Sequence, residues 1–198
     1  MVLARARRED KDGRMTVFTI GHSTRGIDEF IGLLRQAGVN AVADVRRFPR
    51  SRRYPQFNDQ ALAQSLDRAG IAYRHFPDLG GRRGKREDGP SPHTLWREEG
   101  FRNYADYAET PEFAAAFAAL GDFARVQPTA VMCAEALWWQ CHRRIIADYL
   151  LAAGEKVEHI LAAGKIEPAA LTPGARLLPG GGVLYAAPDL FNRMQEKG

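Results

Sequence analysis

Val17-Phe-Thr-Ile-Gly-His-Ser-Thr-Arg-Gly-Ile-Asp-Glu-Phe-Ile-Gly-Leu-Leu-Arg-Gln-Ala-Gly-Val-Asn-Ala-Val-Ala-Asp-Val45 decides the fold. Val17 to Ile20 is a short apolar run that stops at Gly21-His22-Ser23-Thr24, and it reads as a strand. Ile27, Phe30, Ile31, Leu34 and Ala37 recur at helical spacing, and Gly38 is a natural stop. Val39 to Val45 is a second strand, broken by Arg46-Arg47-Phe48-Pro49. Strand, amphipathic helix and strand in succession are the repeating unit of a parallel sheet.

The pattern continues outward. Asn58 can cap a helix running through Ala69, Gly70 ends it, and Ile71 to Phe76 is a third strand. Pro77 to about Arg102 is polar and rich in Gly and Arg. It is too long for an ordinary connection, so it reads as a functional or partly mobile loop. Tyr104 and Tyr107 mark a short helix, and Thr110-Pro111-Glu112 opens a longer one with Phe113, Ala116, Phe117 and Leu120 on its apolar face. Thr129 to Cys133 is a fourth strand. A helix over Cys141 to Ala153 and a fifth strand over Lys156 to Leu161 follow. The expectation is one α/β domain over residues 15–162, with a mainly parallel central sheet of about five strands and helices on both faces. Residues 1–14 form a charged flanking segment, and 163–198 a Gly/Pro-rich extension packed on the domain. In that extension, Val183 to Tyr185 and Leu190-Phe191 are expected to add an edge strand or fold over a neighbour.

Composition narrows the class. A chain of 198 residues, 45% hydrophobic and 26% charged, suits one soluble domain. It has no apolar run of about eighteen residues, and Met1 to Arg14 lacks a signal core. No membrane association is expected. Two cysteines do not make a disulfide scaffold, which points to a reducing cytoplasm. The net charge is only +4, but Arg46, Arg47, Arg50, Arg52 and Arg53 are crowded together, as are Arg82, Arg83, Lys85 and Arg86. Such runs suit a phosphate-bearing small molecule or a nucleic acid, and aromatics such as Phe48 and Tyr54 among them favour a binding loop over a merely solvated face.

Open parallel sheets place their sites beyond the carboxyl ends of the strands. Those ends carry His22-Ser23, Asp44 and Arg46, His75, Cys133 and Glu135, and His159. Glu135 and Asp44 are candidate acid or base groups, His22 a proton carrier, and Cys133 a nucleophile. Ser23, Arg46, Arg47, Arg50, Ser51, Arg52, Arg53, Arg82, Arg83, Cys141, His142 and Arg143 are candidates for substrate or phosphate binding. Cys141, at a helix start beside arginines, is expected to have an acidic thiol. Each has a plainer reading: Asp44 as partner of an arginine, His22 as a cap, His75 and His159 as satisfied strand residues, Cys133 as a small hydrophobe. Trp138 and Trp139 read as core or lid packing, or as a base-stacking platform. No cofactor is expected. A lesser alternative is zinc or iron on Cys133, Cys141, His142 and His22, although seven residues between the cysteines is not zinc-finger spacing.

Thr19-Ile-Gly-His-Ser23, Ala43-Asp-Val-Arg46 with Pro49 and Ser51, Leu79-Gly-Gly-Arg82, Tyr104-Ala-Asp-Tyr107, and Met132-Cys-Ala-Glu135 with Cys141-His-Arg143 occur in order. On these motifs the chain closely resembles the domain-of-unknown-function family number 488, over about Thr19 to Leu161. The resemblance implies a compact cytosolic bacterial or archaeal α/β protein with its site around these residues, and no particular activity. A Cys at a strand end before a helix is also similar to rhodanese-like sulfurtransferases and cysteine phosphatases. Their thiolate loop is tight and closed by a nearby arginine; here nine residues, including two tryptophans, separate Cys133 from Arg143. The expected function is an enzyme acting on a nucleotide or nucleic acid. A non-catalytic nucleic-acid-binding module and a metal- or thiol-dependent enzyme are the alternatives.

Overall fold

The computed structural model describes residues 16–187. Strands β1 (Thr16–Gly21), β2 (Ala41–Asp44), β3 (Ala72–His75), β4 (Thr129–Cys133), β5 (Lys156–Ala162) and β6 (Lys165–Pro168) form one sheet in the order β3-β2-β4-β1-β5-β6. The first five are parallel, and β6 runs antiparallel to β5. The sixth strand comes from the segment expected to be an extension. A tight turn with Gly164 at φ 69° returns the chain onto β5, so the sheet extends beyond residue 162.

Helices α1 (Ile27–Ala37) and α2 (Asp59–Arg68) cover one face; α3 (Glu99–Tyr107), α4 (Pro111–Val126) and α5 (Arg143–Ala152) cover the other. Strand alternation divides the two cores. Phe18, Ile20, Val42 and Met132 pack with Phe30, Leu34, Leu62 and Leu66, whereas Val17, Val131 and Cys133 pack with Tyr104, Phe113, Leu120 and Ile145. Burying each such Leu, Ile or Phe contributes about 1.5–3 kcal/mol.

Local signals account for the helix ends. Gly38, at φ 74°, closes α1, with Val39 N–H donating to Leu34 O at 2.9 Å. Thr110 caps α4 by accepting from Phe113 N, and Pro111 fills its first position. Asn58 occupies the N-cap position of α2 but does not cap it. Its Oδ1 instead accepts from Ser51 N at 2.6 Å and ties the arginine loop to the helix. The chain reaches α5 later than expected: a 3₁₀ turn spans Trp138–Gln140, and Cys141 and His142 precede the helix.

Val183 and Tyr185 form no edge strand on the central sheet. β7 (Arg176–Leu177) and β8 (Val183–Leu184) pair with each other as a ribbon, and Val183 and Tyr185 are buried in the core under α3–α5. Leu190, Phe191 and segment 1–14 lie outside the described residues.

Order and connection place the crevice. β1 and β4 are neighbours, but β1 leads to α1 on one face and β4 to α5 on the other. Their carboxyl ends therefore flank the point where the winding changes direction, which is where open α/β sheets hold ligands.

Candidate functional site at the strand ends

The ends of β1 and β4 are joined beyond the sheet. His22 N–H donates to Cys133 O at 3.0 Å and Ser23 N–H to Ala134 O at 2.9 Å. The approach requires Gly21, because a Cβ there would lie 1.8 Å from Glu135 O. Ser23 (φ 51°) and Arg82 (φ 60°) are the two non-glycine residues at positive φ among those described, and both border the crevice.

Arg46 is the hinge of the site. Its Nε donates to Asp44 Oδ1 at 2.8 Å and its Nη2 to Oδ2 at 2.6 Å; Arg46 N and Tyr73 OH also donate to the same carboxylate. Asp44 is fully buried, so this bidentate pair is charge-assisted in a dry setting. Burial works against the Arg46 charge, but the bond to Asp44 holds its pKa above the ordinary arginine value. The carboxylate expected as a base is thus occupied on both oxygens, as in its plainer reading.

His22 completes the set. Its Nδ1–H donates to Ser23 O at 3.0 Å, which leaves Nε2 to accept from Arg46 Nη1 at 3.3 Å. The ring stacks on Phe57 at 4.2 Å. Burial, reinforced by the Arg46 charge, lowers its pKa to about 4, so it is a neutral imidazole at physiological pH.

The thiols lie on the other face of the sheet edge. Cys133 Sγ and Cys141 Sγ are 2.8 Å apart, and both cysteines are free. Cys141 Sγ also lies 3.4 Å from His142 Nδ1 and 3.5 Å from Arg143 N. His142 Nε2–H donates to Val45 O at 3.0 Å, which leaves Nδ1 facing the sulfur as an acceptor for the Cys141 proton. Arg143 is only 1% exposed and makes no ion pair with a carboxylate among the described residues; its Nη2 donates to Glu135 O at 2.6 Å. A buried guanidinium needs an anion. Burial pushes both thiols up, but the hydrogen bond from Cys133, with His142 and Arg143, holds Cys141 well below its ordinary value. Burial and the bond to Cys141 keep Cys133 well above. Cys141 is thus the more acidic sulfur of the pair and Cys133 the less acidic one.

Two adjoining cavities of about 540 and 570 Å³ open here, and Arg46, Phe48, Arg50, Ala134, Glu135 and Gln140 belong to both. The first reaches Cys133, Cys141 and His142, with Arg47 and Arg82 at its side. The second reaches His22, Ser23, Ser51 and Arg53. Three expected ligands of phosphate line neither. Arg52 is exposed away from both. Arg83 spends its donors on the carbonyls of Pro77, Asp78 and Gly80 and lies 3.6 Å over the Tyr107 ring. Arg143 sits beneath the thiols. Arg83 thereby ties down the long loop, where Gly80 packs against Arg47 and Gly81 against His142.

Two other expected positions differ. His75 borders the rim and binds Arg46 O through Nε2 at 2.7 Å. His159 does not reach the rim. It pairs in register with Thr19 inside the sheet, binds Thr19 Oγ1 at 2.7 Å and stacks on Trp138 at 4.2 Å. Trp138 is therefore packing, while Trp139 is exposed. Tyr73, Gln140 and the Phe57 stack were missed. Tyr73 reaches Asp44 because β3 and β2 place them on one face, a relation visible only once strand order is known.

Of the four residues expected as metal ligands, Cys141 contacts both Cys133 and His142, but the three ligand atoms do not converge on one point, and His22 has both ring nitrogens engaged. A different group, His93, Asp106 and Glu109, brings its ligand atoms within 4.8 Å of one another. Tyr185 N–H donates to His93 Nδ1 at 3.3 Å, so the proton is on Nε2, 3.2 Å from Glu109 Oε1. Arg86 lies 3.6 Å from both carboxylates. That group is an ion-paired clasp on the ribbon rather than an open set of lone pairs.

Fold and rim define a mainly parallel α/β protein with an arginine- and thiol-lined site at the switch point of its sheet. The chain belongs to the family described as Domain of unknown function DUF488, whose model matches residues 26–150. The Thr19–Ser23 motif precedes that range. No curated protein and no solved structure matches the chain.

Proposed function

We propose that this protein is an enzyme acting on a phosphate-bearing substrate, a nucleotide or a nucleic acid, at the ends of β1 and β4. The observation that carries this reading is Arg46: one edge of its buried guanidinium is clamped by Asp44, and the residue stands in the wall common to both cavities. A fixed cation there, with Arg47, Arg50 and Arg82 on one side and Arg53 on the other, suits oxyanions on neighbouring phosphates. Glu135, exposed in both cavities, is the free carboxylate for proton transfer, and Cys141 the nucleophile. Asp44 positions Arg46, and His22 supports it as a neutral acceptor. We also place the protein in a reducing cytoplasm, where two adjacent thiols stay unpaired; no helix among the described residues is long and apolar enough to cross a membrane.

Calorimetric titration with phosphate, nucleoside phosphates and short oligonucleotides tests the reading. Arg46→Lys keeps the charge but loses the fork, and at least a roughly tenfold loss of affinity is expected. Wild-type protein that binds none of these ligands at low salt would end the proposal. A second reading, a binding module without turnover, is favoured by Phe48, 68% exposed among the arginines as a base-stacking surface. It expects binding that weakens steeply with salt, a loss on Phe48→Ala, and no effect of Glu135→Gln on any product.

A further inference from the structure

We propose that Cys141 and Cys133 are an attacking and a resolving thiol, and that the site exchanges disulfides with a low-molecular-weight disulfide bearing carboxylates. The inference stands on the thiol geometry and not on the phosphate reading.

Four observations carry it. The two sulfurs are 2.8 Å apart, whereas a disulfide needs about 2.05 Å, so a small movement joins them. Both cysteines line the first cavity although each is nearly buried, so a ligand in that cavity meets sulfur at its floor. The roles are unequal. Cys141 Sγ lies 3.4 Å from His142 Nδ1, the ring nitrogen left without a proton by the Nε2–H bond to Val45 O and so able to take the thiol's proton, while Cys133 Sγ accepts from Glu135 N at 3.3 Å and contacts Cys141 rather than an imidazole. Finally, Arg143 has no carboxylate counter-ion among the described residues, which makes a thiolate the anion its buried charge requires. A cavity bordered by Arg47, Arg50 and Arg82 selects a disulfide that carries negative groups.

The chemistry balances. The Cys141 thiolate attacks one sulfur of the small disulfide; a Cys141–sulfur bond forms, the disulfide bond breaks, and the first thiolate leaves. Cys133 then attacks Cys141 Sγ, its proton passes to a departing thiolate, and the second small thiol is released. The protein loses two electrons to the disulfide, which becomes two thiols. Oxidation removes the anion beside Arg143, so the reduced pair is the favoured form and an excess of small thiol restores it.

The test uses the reduced full chain, oxygen-free, with excess glutathione disulfide, followed by intact mass and peptide mapping. Wild type is expected to lose both free thiols and two hydrogens, to retain no glutathione, and to yield a Cys133–Cys141 peptide. Cys133→Ser traps one glutathione on Cys141, and Cys141→Ser takes none. Glutathione disulfide is expected to react at least roughly tenfold faster than the cationic disulfide cystamine. Two intact thiols in wild type, or an adduct on Cys133 in Cys141→Ser with none on Cys141 in Cys133→Ser, would overturn the assignment. Equal rates for the two disulfides overturn the substrate class. Phosphate or nucleotide binding that survives in Cys133→Ser leaves the proposed function standing whatever the exchange result.

Discussion

Arg46 and Arg143 are buried guanidinium groups that the protein neutralises differently. Arg46 has a carboxylate whose two oxygens are filled by its own side chain, its own backbone and Tyr73. Arg143 has a backbone carbonyl and the thiol pair. Asp44→Asn keeps the shape but leaves Arg46 charged and unpaired, so a loss of about 3–5 kcal/mol is expected in denaturant unfolding. Leu33→Ala, a core truncation remote from the rim, is the comparison that separates stability from ligand binding. The site residues divide by legibility for the same reason. Cys133 and Arg46 were expected at strand ends and Cys141 and His142 at a helix start, and the structure brings all four to one crevice. Arg83 and Arg143 line neither cavity and donate to carbonyls instead, because a sequence shows a charge but not the direction in which its side chain leaves the backbone.

Turns and contacts between elements set the width of the site. Gly21→Ala would drive a Cβ into Glu135 O and separate the ends of β1 and β4, so loss of more than about 3 kcal/mol is expected. Gly32, exposed on α1 with open space where a methyl group would stand, is the opposite case. Gly32→Ala is expected to raise stability by about 0.5–1 kcal/mol, read as a higher Tm. The β7–β8 ribbon is anchored by Tyr185, whose OH donates to buried Asp148 at 2.8 Å. Tyr185→Phe leaves that carboxylate short of a donor and is expected to cost about 1–3 kcal/mol, measured by urea unfolding.

At the scale of the molecule, stability depends on three buried histidines, His22, His93 and His159, whose pKa values burial lowers. His22 and His159 have folded pKa values of about 4 against an ordinary 6.5, in each case chiefly through burial. Between these values the unfolded chain binds protons that the folded protein refuses. Stability is therefore complete above pH 6.5 and lost as pH falls toward 4, by on the order of 3 kcal/mol for each of these two. Denaturant midpoints from pH 7 to 4 should show this slope, and His159→Gln should reduce it. A profile flat through that range would contradict the burial of both rings.

The sequence by itself determined the parallel α/β class, most strands and helices, and the polar character of one sheet edge. Hydrophobic period, Gly stops and the Thr110-Pro111 start are local signals, and they survive folding almost unchanged. Strand order, the sixth strand and the inward burial of Tyr185 were decided only by the tertiary structure, because they depend on which distant surfaces cover one another. The same holds for the site. Residues at strand ends were legible, but only the placement of β1 beside β4, with their helices on opposite faces, turned Cys133 toward Cys141 and set Arg46 between two cavities.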